Sequence, residues 1–129
     1  MKLTNNFNKS EFECRDGSEM PIDVLNNVKE LAQELQKIRD LYGKPIRINS
    51  AYRSLEYNRT IGSKDTSQHV KGTAADIVIN GVEPSELAYW IKFWIAEGLL
   101  KEGGVGLYNT FVHYDIFYDG VNRRRWDNT

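Results

Sequence analysis

Apolar residues between Val24 and Leu41 recur every three to four positions: Val24, Leu25, Val28, Leu31, Ala32, Leu35, Ile38, Leu41. That spacing lines one side of a helix and predicts an amphipathic helix of about two dozen residues. Pro21 suits its first helical position, where a missing N–H costs nothing, and Gly43-Lys44-Pro45 ends it. The period then changes to two: Ile46-Arg47-Ile48-Asn49 alternates and predicts a strand, as do Ala74 to Ile79 and residues 111–117. A short helix fits Leu55 to Ile61. Pro84 opens a second long helix from about Glu83 to Glu97, with Leu87, Ala88, Ile91, Trp94, Ile95 and Leu99 on one face. Tyr89, Trp90 and Phe93 widen that face, and core packing is the expected use for them, ahead of a sugar-binding patch. The segment Gly103-Gly104-Val105-Gly106 leads into a strand that Tyr108 ends, and Asn109-Thr110 turns it back. Residues 1–20 read as irregular, with one turn around Lys9 to Phe12 and with Phe7 and Phe12 pinning the segment down. This order predicts an α+β fold, a small mostly antiparallel sheet with helices packed on one side and a cleft on the other.

Composition narrows the function classes more than it names one. The 129 residues make one ordinary domain, 1–129, and 40% apolar with 27% charged residues is the balance of a globular protein. A net charge of −1 gives no electrostatic footprint for nucleic acid, and Arg123-Arg124-Arg125 reads as a solvated tail. No eighteen-residue apolar run is present, so no membrane segment is expected, and the first residues lack an apolar signal region. Cys14 is the single cysteine, which excludes an internal disulfide. A monomer is expected.

The candidate chemistry lies in two short stretches. The chain has only two histidines, His69 in SQHVKGTAAD (Ser67 to Asp76) and His113 in Val112-His113-Tyr114-Asp115. Imidazole nitrogens with a carboxylate oxygen suit zinc, and three protein ligands leave a fourth position open, the catalytic arrangement. Asp76 falls in a mostly apolar strand, where an uncompensated charge is expensive. Alternation places His113 and Asp115 on one face of the later strand, opposite Val112, Tyr114 and Ile116. Arg53 follows a strand end at a loop rim, a place suited to binding substrate, and its guanidinium fork fits a carboxylate. The glycine density at 103–106 suggests close backbone approach near a ligand.

The pattern S-x-H-x-x-G-x-A-x-D, carried by Ser67, His69, Gly72, Ala74 and Asp76, resembles the M15 peptidases. These are zinc D-Ala-D-Ala carboxypeptidases and peptidoglycan endopeptidases. Ser50-Ala51-Tyr52-Arg53-Ser54 with Asn58 is similar to a second stretch of that family. Gly103-Gly104-Val105-Gly106-Leu107-Tyr108 before Phe111-Val112-His113-Tyr114-Asp115 is similar to a third. Asn6-Phe7, Glu11-Phe12 and Arg125-Trp126 extend the likeness to nearly the whole chain. The resemblance implies a hedgehog- and DD-peptidase-like fold, zinc held by His69, Asp76 and His113, and hydrolysis of amide bonds in cell-wall peptides. It implies that Arg53 anchors the scissile carbonyl, and Ser67 and Tyr108 are assigned to substrate binding. The chain departs from the family at Thr110, where many members carry an acidic residue three before the final histidine. Asp115 is then either the substitute general base or the partner that orients His113. Two function classes follow: a peptidoglycan peptidase, of a type similar to phage or prophage lysis enzymes, or a metal-containing module that holds a cell-wall peptide without cutting it.

Overall fold

A computed structural model describes residues 1–129. Helix α1 runs Ile22–Tyr42, one residue later than its proline suggests. Pro21 is the cap rather than the first helical residue, and its carbonyl accepts from Leu25 N at 2.9 Å. The helix stops where Gly43 turns to a φ of +79° and donates its N–H to Arg39 O, a conformation glycine adopts without Cβ strain. Strand β1 (Ile46–Ser50) follows, then the short helices α2 (Leu55–Thr60) and α3 (Gln68–Lys71). Strand β2 (Ala74–Ile79), helix α4 (Pro84–Ala96) and strands β3 (Val105–Leu107), β4 (Val112–Asp115) and β5 (Arg125–Asp127) complete the order. Ahead of α1 a single 3-10 turn spans Lys9–Phe12, and Phe7 and Phe12 are fully buried.

The five strands lie in the order β1-β2-β4-β3-β5. β1–β2, β2–β4 and β4–β3 pair antiparallel, but β5 lies parallel to β3 with Val105 opposite Arg125, so the sheet is mixed. One face carries Ala75, Ile77, Ile79, Val112 and Tyr114, all buried against Val28, Leu31, Leu35 and Ile38 of α1 and Leu87 and Ile91 of α4. Each large apolar side chain so buried contributes about 1.5–3 kcal/mol, and this face holds the sheet to the helices. Tyr42 ties the helices together, its ring edge-on to Trp94 and its hydroxyl donating to Glu86 at 2.8 Å. Period-two alternation leaves the opposite face to Asp76, His113 and Asp115.

Two expectations from the sequence are corrected here. Tyr89, Trp90 and Phe93 are exposed on α4 rather than packed in the core. The arginine run is not a solvated tail. Arg123 does lie at the surface, but Arg124 pairs with the buried Asp115, and Arg125 pairs with Glu102 at 2.9 Å while its own strand pairs with β3. Fixed acceptors and a free sheet edge organise these cations.

Candidate metal centre

Register brings the site together. Asp76 sits directly opposite His113 across the β2–β4 ladder, and Ala74 opposite Asp115. His69 arrives on α3, a single turn that the sequence reading did not predict. Ser67 starts that turn, its hydroxyl accepting from His69 N at 3.2 Å. Gly72 ends it at a φ of +76°, where a Cβ would lie 2.7 Å from Val24 Cγ1. Only glycine meets both demands.

His69, Asp76 and His113 are 3%, 6% and 8% exposed, and their ligand atoms converge. His69 Nε2 lies 3.3 Å from Asp76 Oδ1, and His113 Nδ1 lies 3.4 Å from the same oxygen. Those separations are long for N–H···O bonds, whose usual distance is about 2.9–3.0 Å. They match the edge of a tetrahedron whose centre is about 2.0–2.1 Å from each ligand atom, the bond lengths of zinc to nitrogen and oxygen. Each imidazole is tethered at its other nitrogen. His69 Nδ1 donates to Ala51 O at 2.7 Å, and His113 Nε2 donates to Asp115 Oδ2 at 2.7 Å. Both tethers leave a lone pair aimed at the common centre, the way outer partners orient metal-binding histidines. The three residues therefore fit a metal ion.

The electrostatics agree. Burial works to raise the Asp76 carboxyl pKa, but the facing His113 and His69 imidazoles outweigh it and hold the group below the ordinary carboxylate range. Burial works to lower the His113 pKa, and the Asp115 and Asp76 carboxylates outweigh it and raise it.

Arg53 lies at the edge of the same group. Its Nε donates to Ser50 Oγ at 3.1 Å, Nη1 to Asn58 Oδ1 at 3.2 Å, and Nη2 reaches Asp76 Oδ2 at 3.4 Å. Asp76 thus turns one oxygen to the histidines and the other to a guanidinium. Asn58 is fully buried, and its amide also donates to Lys64 O at 2.8 Å, which fixes the loop below the site.

These groups open into a cleft of about 540 Å³ lined also by Ser67, Tyr108, Lys64 and Trp126. Tyr108 stacks on Phe111 with ring centroids 4.4 Å apart, and its hydroxyl oxygen accepts from Trp126 Nε1 at 3.0 Å. Thr110 is exposed in the β3–β4 turn. The only carboxylates lining the cleft are Asp76 and Asp115. Asp115 is 0% exposed beneath His113 and accepts from Gly104 N at 2.9 Å, Phe117 N at 3.1 Å and Arg124.

A model of the Peptidase M15 family matches residues 5–115. The chain belongs to the Peptidase M15 family. The span matched by Peptidase M15 takes in Arg53, Ser67, His69, Asp76, Tyr108, His113 and Asp115, and it ends before β5. No curated protein matches the chain. No helix is long and apolar enough to cross a membrane. Membership assigns the chain to a metallopeptidase family, and the buried His-Asp-His group is where this member can bind metal.

Sequence reasoning missed Arg124 and the role of Trp126 in the site. Trp126 packs against His113 with ring centroids 4.9 Å apart. Gly104, just before β3, and Gly106 within it leave room for side chains of the site. A Cβ at Gly104 would meet Asp115 Oδ2 at 2.4 Å and the Arg124 guanidinium at 2.9 Å, and one at Gly106 would meet the Trp126 ring at 2.3 Å. The signal was present in the spacing, Gly-x-Gly leading into one strand and Arg-x-Trp leading into another.

Proposed function

We propose that the protein is a zinc-dependent peptidase that hydrolyses amide bonds in the peptides of peptidoglycan. The observation that carries this reading is the buried group of His69, Asp76 and His113, with both imidazoles 3.3–3.4 Å from Asp76 Oδ1 and tethered by Ala51 O and Asp115. Zinc bound there supplies Lewis acidity and brings the pKa of a water to about 7, a nucleophile at neutral pH. The peptide substrate and the cell-wall setting come from the family, whose model the chain matches over residues 5–115.

The chain's own residues divide the remaining work. Arg53 is held by Ser50 and Asn58 with its guanidinium at the cleft wall, placed to donate to a carbonyl oxygen as negative charge grows on it. Tyr108 lends its phenol to substrate binding, since Trp126 N–H occupies the oxygen and leaves the O–H free to donate. Ser67 borders the cleft while capping the turn that carries His69. Asp115 orients His113: its buried carboxylate already accepts from four donors and has no open face to a substrate.

One observation favours a second reading, a module that binds a cell-wall peptide without cleaving it. The cleft holds no carboxylate outside the metal group and its support, so a general base, usually worth ~10²–10⁴ in rate, is missing from its walls. Mass spectrometry of muropeptides incubated with the zinc-loaded protein separates the two. Cleavage that requires zinc and is lost in His69→Ala supports the peptidase. Binding without any mass change supports the module.

A further inference from the structure

Two rows of side chains cross the sheet on the face of the metal centre. The first runs through Ser50, Asp76, His113, Gly106 and Trp126, each paired with the next across a ladder. The second runs through Ala74, Asp115 and Gly104 to Arg124, the residue before β5, with Asp115 N donating to Gly104 O at 3.0 Å. In both rows the position between β4 and the edge segment is a glycine, Gly106 on β3 and Gly104 just before it. The absent side chains leave two gaps, and through them Trp126 of the edge strand and Arg124 just before it reach onto β4. Arg124 reaches Asp115 through one gap, and Trp126 reaches His113 through the other. Arg124 is also braced from outside, donating to Phe117 O at 3.1 Å with its guanidinium 5.3 Å from the Phe117 ring centre.

We propose that the β5 segment is a working part of the metal centre, with Arg124 and Trp126 as positioning residues that fix Asp115 and His113 across a glycine-gapped strand. The inference rests on the metal reading above and extends it to residues beyond the matched family span. Its physical basis is the shape of the bonding at Asp115. Gly104 N, Phe117 N and Arg124 all donate to Oδ1, which turns Oδ2 alone towards His113 Nε2. Of the three, Arg124 is the only charged donor, and a hydrogen bond to a charged group is the stronger kind. Losing it frees the carboxylate to rotate, and the His113 ring with it. Trp126 closes the remaining side of that ring, so the imidazole has one orientation, with Nδ1 towards Asp76.

The test measures metal, not turnover. Zinc affinity is determined by chelator competition, and Co2+ is used in place of zinc because its visible absorption reports ligand geometry. Wild type and His69→Ala set the two limits. Arg124→Ala should bind zinc ~10–100-fold more weakly, the loss typical of removing an outer partner of a metal ligand, with an altered Co2+ spectrum. Arg124→Lys should restore part of that affinity. Arg123→Ala removes the same charge one residue away, from a surface pair with Glu102, and should leave affinity unchanged. If Arg124→Ala does not fold, Arg124→Gln replaces it with the same expectation. A folded Arg124 variant with wild-type zinc affinity and Co2+ spectrum overturns the proposal while His69→Ala still upholds the metal site. A wild-type protein that takes up neither metal overturns both.

Discussion

Replacing Asp115 by Asn alters one atom and reverses one hydrogen bond. Three donors converge on Oδ1, namely Gly104 N, Phe117 N and Arg124, so the amide must keep its oxygen there. Its NH2 then points at His113 Nε2, which in the native protein donates to Oδ2 at 2.7 Å. Two donors now face one another. The ring can keep its proton on Nε2 and lose that bond, or move the proton to Nδ1, the atom that faces Asp76 and the metal position. A hydrogen bond to a charged group is worth about 1.5–3 kcal/mol, so either route weakens zinc binding by roughly 10- to 150-fold. Chelator competition at neutral pH measures it directly, and near-saturating zinc should restore part of the lost activity. Zinc affinity within twofold of wild type, with activity gone, would refute this reasoning and make Asp115 the general base.

Further outcomes follow from the same geometry. His69→Ala and His113→Ala should each abolish stoichiometric zinc in the purified protein, read by elemental analysis. Arg53→Ala should lower turnover a hundredfold or more, and it should also lower the melting temperature by several degrees. The cause of that second effect is the buried Asn58 Oδ1 losing its guanidinium donor, at roughly 1–3 kcal/mol. Gly72→Ala, forced to a φ of +76° with its Cβ against Val24, should destabilise the fold by about 1–3 kcal/mol and displace His69, seen as parallel losses in denaturant midpoint and zinc affinity. The pH response of the metal-free protein carries two signs. His113 has a raised pKa, so its contribution is complete below about pH 6.5 and is lost as pH rises through the folded value. Asp76 and Asp115 have lowered pKa values, so theirs is present above about pH 4 and is lost on acidification through the folded values. Zinc needs neutral His113, so its apparent affinity should fall as pH drops below that raised value, the reverse of the apo-stability trend.

Much of the fold could be read from local pattern, and what could not depends on distant partners. The α1 periodicity and its Gly43 stop are local, and both ends of the helix fall within a residue of expectation. The Asp76 and His113 strands were legible because alternation fixes which side chains share a face, and the ladder then sets the two residues opposite each other. The turn carrying His69 was overlooked although its Ser67 cap and Gly72 stop are ordinary helix signals, because they enclose only four residues. On α4 the apolar residues surround nearly the whole helix, and periodicity alone cannot say that Trp90 and Phe93 face solvent. Strand β5 is three residues of charged and aromatic character with weak propensity, placed by pairing with β3 about twenty positions earlier. Arg53 was legible as a site residue, but its burial against Asn58 and Asp76 was not, since a strand end says nothing of the loop that folds over it.

The parallel pairing of β5 with β3 has a consequence for the order of events during synthesis. Zinc-dependent mini-domains gather their ligands from neighbouring residues, so the ion can organise an unfolded chain. Here the contributors run from Ser50 to Trp126, and the edge strand that braces the histidine partner is translated after all three ligands. At about 5–20 residues per second, there is an interval in which His69, Asp76 and His113 are all made but Arg124 is not. A nascent chain stopped at Phe117 therefore holds the full ligand set in a loosened frame. If the three residues hold zinc as proposed, a polypeptide cut short in that interval should bind the ion more weakly than one that carries β5.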